Sequence, residues 1–313
     1  MVFSMVMSCS PNLYLRRSRM VMQKTIRCFS SSSVSTPPES VKFDLKTYWA
    51  TLISDINQKL DEAVPVKYPN QIYEAMSYSV LAKGAKRPPP IMCVAACELF
   101  GGNRLAAFPT ACALEMTRSA CKPHSFWCRY GNFSGGCLVP YWFPAYCVPH
   151  SQVISFVLRV ISEIARAVGS TGMAAGQFID LEGGPNAVEF VQEKKYGEMG
   201  ECSAVCGGLL GGASDEEIQH LRKYGRAVGV LYRFADDILE AKKTEDETKG
   251  KKKKSKSYVR VYGVEKAMKV AEDLRAQAKR ELDGFKKYGD KVVPLNSFID
   301  YAADRGFSID GQV

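Results

Sequence analysis

The chain has 313 residues, 46% of them hydrophobic, and a formal charge of +9. This is enough for one large domain or two smaller ones with an ample core, and no apolar run reaches the length that crosses a bilayer. Residues 1–40 carry a net +4 and the tract from Lys249 to Lys256 carries six lysines and no acid, which leaves the body at −1 and excludes the distributed basic face of a nucleic-acid binder.

Residues 1–40 are Arg-rich, contain Ser30 to Ser33 and Ser35, and have no acid before Glu39. That is the composition of an organellar transit peptide, which sets the domain boundary near residue 40. From Val41 to Val313 the chain reads as one all-α domain, with apolar residues recurring at three and four and little strand-like alternation. Gly84-Ala85-Lys86-Arg87-Pro88 precedes a helical run from Ile91 to Phe100.

Cys93 and Cys97, like Cys202 and Cys206, are separated by three residues, one helical turn, within Ala- and Gly-rich runs. Zinc needs four ligands, usually on loops, so the residues themselves read as small side chains that let helices approach closely. Eleven cysteines at such spacings do not form a secreted disulfide framework. Small residues recur again from Ser170 to Gln177, ahead of Asp180.

Ser214 followed by Glu217 is a capping-box start. The glycine-punctuated run Tyr224 to Ala235 leads into Asp236-Asp237-Ile238-Leu239-Glu240, and residues at i and i+4 share a helix face. Clustered carboxylates repel unless a cation lies between them, and hard oxygen ligands suit Mg²⁺. Residues 241–257 are charged and of low complexity, which predicts a Lys-rich solvated loop. Val264, Met268, Ala271, Leu274, Ala278, Leu282 and Phe285 then form a helical stripe.

Together the Gly84–Pro88 segment, the Ser170–Asp180 segment and Asp236-Asp237 resemble the trans-prenyl diphosphate synthases, the geranyl and geranylgeranyl diphosphate synthase family. The paired cysteines, the Asp236–Lys242 run and the tail Tyr301–Phe307 are similar to those of plant small subunits of the heteromeric enzymes, type II. The resemblance implies the isoprenoid synthase helical bundle, a plastid location, and a catalytic geranylgeranyl diphosphate synthase as partner, met through Cys93, Cys97, Cys202 and Cys206. It implies condensation of an allylic diphosphate with isopentenyl diphosphate, with Mg²⁺ stabilising the departing pyrophosphate. By the same resemblance the metal residues are Asp236, Asp237 and Glu240. The diphosphate contacts are Lys86, Arg87, Gln177 and Lys195, with Asp180 beside the allylic side. The chain departs from the family pattern at four places. Glu240 stands for an aspartate, Arg233 for a glutamine, Pro89 for an arginine and Tyr196 for a threonine.

A fifth departure is larger. Residues 119–150 hold four cysteines, four prolines, two tryptophans, two histidines and no acid, and the family's first Asp-rich motif is missing where it should follow Met116. Four prolines forbid a long helix, so a non-helical segment is expected here. Shifting the back-translated codons of Trp127 to Pro140 by one nucleotide permits G-V-D-M-A-I-L-A-G-D-A-L-F-P, which resembles the family's own helix. The segment therefore reads as out of frame. Two function classes stay open at this point: an accessory subunit with little turnover of its own, or a competent short-chain prenyltransferase. A third, a membrane-surface protein, rests on the lysine tract alone.

Overall fold

The structure is a computed structural model that describes residues 43–68, 70–82, 84–120, 151–183, 187–246 and 257–304. The transit-like leader, residues 121–150 of the segment expected to be out of frame, the tract Lys249 to Lys256 and residues beyond Asp304 lie outside the described residues.

Asp44 starts the first helix by accepting hydrogen bonds from the amides of Lys46 (3.0 Å) and Thr47 (3.3 Å). The helices are α1 (Leu45–Ala63), α2 (Asn70–Val80), α3 (Pro88–Leu99) and α4 (Arg104–Ala120). After residue 150 come α5 (Ser151–Val168), α6 (Met173–Glu182) and α7 (Ala187–Val191). A π-helical turn (Gln192–Gly197) leads into α8 (Glu198–Gly211) and the long α9 (Asp215–Asp246). The chain continues through α10 (Tyr258–Tyr262), α11 (Val264–Asp283), a 3₁₀ turn (Lys286–Val292) and α12 (Val293–Asp304). The described residues are all-α, as the sequence periodicity predicts.

Three prolines, Pro88 to Pro90, open α3, where their missing N–H groups have no helical partner to lose. Helix α3 lies against α8, α8 in turn lies along α9, and α9 also packs against α11. Glycine makes these approaches possible. A Cβ at Gly207 of α8 would stand 2.2 Å from the Cys93 carbonyl, and one at Gly200 would stand 2.2 Å from the Gly225 carbonyl. Helix α1 closes the core from below with Trp49, whose ring stacks on Phe298 of α12 at 4.7 Å. Among the described residues no helix is long and apolar enough to cross a membrane.

Two expectations are corrected. The chain from Ala241 to Asp246 is not loop but the last turns of α9. Lys and Glu are good helix formers, and a helix already propagating adds them at little cost. Helix α4 likewise continues through Ser119 and Ala120, the first residues assigned to the non-helical segment.

Candidate diphosphate site

The site is a cavity of about 380 Å³ enclosed by α3, the end of α4, α6, the π-helical turn, α8, α9 and α12. Its charged lining is Arg118, Lys195, Arg233 and Asp236, and Tyr196 and Tyr232 stand beside them. Met92, Met173, Met199, Val228 and Phe298 supply apolar wall. The combination of apolar walls with a few converging polar groups is that of a small-molecule site, and the volume falls in the usual range.

Each lining cation is oriented by a carboxylate of the protein. Arg118 pairs with Glu115 through both oxygens, with Nε 3.0 Å from Oε2. Lys195 Nζ lies 2.8 Å from Asp180. Arg233 Nη2 lies 2.7 Å from Asp237, one helical turn on, and its guanidinium sits over the Tyr196 ring at 5.3 Å.

Glu115 has no exposed side-chain surface and also receives Arg87 Nη1 at 2.6 Å. Burial alone would raise this carboxyl, but Arg118 and Arg87 outweigh it and hold the group below the usual carboxylate range. Asp237 shows the opposite balance. Burial pushes its carboxyl up, and the nearby Arg233 only partly offsets that.

These positions revise the sequence assignments. Asp236 faces the cavity, while Asp237 is turned inward, where Gln192 Nε2 donates to it at 3.3 Å. Glu240 lies on the exposed surface of α9. One residue of helix turns the side chain by about 100°, so adjacent aspartates diverge. Among the described residues no three His, Cys, Asp or Glu side chains gather as a metal site. Because the Arg233 guanidinium lies within ion-pair distance of Asp237 and the two aspartates diverge, the residues described do not fit the Mg²⁺ that the resemblance implies.

Arg87 is not turned to the cavity either. It is 1% exposed and divided between Glu115 and Asn57, the latter at 3.1 Å. Its neighbour Lys86 is half-buried and offers its carbonyl to the Trp49 indole at 2.9 Å. Gln177 has a buried Oε1 with no hydrogen-bond partner among the described residues. Lys195 is the one assigned diphosphate residue that lines the cavity.

The four cysteines assigned to a partner interface are buried within this chain, all at 0% exposure. The Cys202 and Cys206 sulfurs are 3.8 Å apart in α8, and Cys93 packs opposite on α3. They serve the close helix approach that their size predicts. Arg118 and Glu115 carry the site without having been assigned a role. The signal in the sequence was a carboxylate with an arginine three residues on, inside an otherwise apolar helix.

An all-α bundle with a cation-lined, apolar-walled cavity is the arrangement that the resemblance to the isoprenoid synthases implies. The chain belongs to the polyprenyl synthetase family: the family's model matches residues 150–287, and curated relatives match over most of their length. It is 55% identical over 303 residues to the Arabidopsis thaliana chloroplastic heterodimeric geranylgeranyl pyrophosphate synthase small subunit, covering 88% of this chain and 89% of the relative. It is 36% identical to large subunit 1 from the same plant, covering 88% and 85%. Among solved structures it is similar to a deletion mutant of the mint heterotetrameric geranyl pyrophosphate synthase in complex with ligands. That match has a TM-score of 0.64 and 29% identity, over 81% of this chain and 99% of that one.

Proposed function

We propose that the chain is the accessory small subunit of a heteromeric geranyl or geranylgeranyl diphosphate synthase of plastids, imported by its N-terminal leader and without useful turnover of its own. The observation that carries this reading is the Arg233–Asp237 ion pair at 2.7 Å, which puts a fixed cation on the carboxylate that a catalytic chain would give to metal. The 55% identity to a small subunit supports it. Loss of preorganised charge at a departing oxyanion costs orders of magnitude in rate.

A partner must then be met through other surfaces than the cysteines. Leu158 on α5, and Phe178 and Leu181 on α6, are 58%, 62% and 68% exposed. Apolar surface of this kind is available for burial against the catalytic subunit.

The purified chain, given Mg²⁺, isopentenyl diphosphate and an allylic diphosphate, is expected to make no elongated product above blank. Co-expressed with a catalytic large subunit it is expected to co-elute and to change product length or rate. Robust elongation by the chain alone would establish the competent prenyltransferase instead, and failure to co-elute would remove the subunit role.

A further inference from the structure

The charge around the cavity is arranged opposite to that of a metal site. Among the described residues its lining has three cations and one carboxylate. Behind the cations stand Glu115 and Asp237, whose side chains are fully buried, and the partly exposed Asp180. These carboxylates hold the guanidinium and ammonium groups in place rather than facing the cavity themselves. A divalent ion placed on Asp237 would meet the Arg233 guanidinium at close range. Two cations repel strongly in a site of low effective dielectric.

Arg233 is itself an appropriate anion ligand. A guanidinium keeps its charge at any working pH and presents donors in a fork that matches phosphate oxygens. The Tyr196 ring beneath it and Asp237 one turn away limit its freedom, which reduces the ordering cost of binding. Arg118, at the end of α4, brings a second fork, and Lys195 a compact third charge. The apolar remainder of the wall, including three methionines and Phe298, suits a flexible hydrocarbon chain.

We infer that this cavity binds an isoprenoid diphosphate without any divalent cation, with Arg233 filling the electrostatic place of the metal and Arg118 and Lys195 completing the cradle. The inference rests on the family reading of the cavity, but not on assembly with a partner or on turnover. In this chain the cavity is a metal-independent prenyl diphosphate binding site.

The test is titration calorimetry of the full-length chain with geranyl diphosphate, first in EDTA and then in excess Mg²⁺. Geraniol serves as the probe without phosphate. Binding of geranyl diphosphate is expected in EDTA, with a Kd that changes by less than about threefold on adding Mg²⁺, and geraniol should bind far more weakly. A hydrogen-bonded charge contact is worth about 1.5–3 kcal/mol, so Arg233→Gln should weaken metal-free binding by about tenfold or more. Arg233→Lys, which keeps the charge, should retain part of the affinity and guards against a variant that merely misfolds.

The inference is overturned if geranyl diphosphate binds only with Mg²⁺, if it does not bind under either condition, if geraniol binds equally well, or if Arg233→Gln binds as tightly in EDTA as the wild type. None of those outcomes bears on co-elution with a large subunit, so the two proposals fail separately.

Discussion

Glu115 joins Arg87 and Arg118 behind the cavity wall, with no side-chain surface exposed to solvent. Removing one member of a buried ion pair leaves charge uncompensated, which costs about 3–5 kcal/mol. Glu115→Ala should lower the unfolding free energy from urea titration by that amount, whereas Glu62→Ala, in an exposed pair with Lys59, should leave it nearly unchanged. Gly207 offers a second residue-level prediction. A side chain there meets the Cys93 carbonyl and the Ala96 methyl, so Gly207→Val must push α3 from α8. Overpacking of this kind costs about 1–3 kcal/mol, with a lower melting temperature as the measurement. Arg87 shows what a linear reading misses. Next to Lys86 before a proline it looks like a surface anion contact, yet the chain enters α3 with Arg87 at φ 52° and folds its side chain beneath the helix.

Among the elements, the start of α9 is the clearest case of local sequence acting alone. Ser214 Oγ accepts from the Glu217 amide at 3.3 Å, and the Ser214 amide donates back to the Glu217 carboxylate at 2.8 Å. Loss of such a cap costs about 1 kcal/mol, so Ser214→Ala should destabilise the fold by that much in chemical denaturation. Burial would raise the Glu217 carboxyl, but Lys287, Tyr288 and Ser214 together hold it down to about 2, from 4.5. A carboxyl depressed in the folded state stabilises above its unfolded pKa and loses that contribution as pH falls. Stability from this group should therefore be complete above about pH 5 and decline toward pH 2. Glu217→Gln should be less stable at neutral pH and show a shallower loss across that acid range in thermal melts. The far end of α9 was not legible in the same way, because charge density marks both solvated loops and exposed helix, and the helix that precedes Ala241 decides between them.

At the scale of the whole molecule, the proposed heteromer makes its own prediction. Phe178→Asp would put a charge on exposed apolar surface of α6, away from the core, and should leave the melting temperature of the lone chain nearly unchanged. At an interface core the same charge would be buried without a partner, so co-elution with the large subunit should weaken by about tenfold or more. Retained co-elution would place the contact elsewhere on the surface.

Periodicity and the capping box at Ser214 were sufficient to read an all-α chain, because each is a local relation within a few residues of helix, and the synthase family was read from the resemblance of short motifs such as Asp236-Asp237. Which charges meet across helices was not local. Lys195 on Asp180 and Arg87 on Glu115 depend on how α3, α4, α6 and the π-helical turn converge, whereas Arg233 on Asp237 is a pair four residues apart within α9. The cysteine pairs follow the same rule: their spacing fixed a common helix face, but only the crossing of α3 and α8 turned that face inward. The sequence by itself placed Arg233 one turn before Asp237, but only tertiary packing brought Arg118 of α4 and Lys195 of the π-helical turn to the same cavity wall, since a contact between helices is set by how they cross and not by spacing along either one.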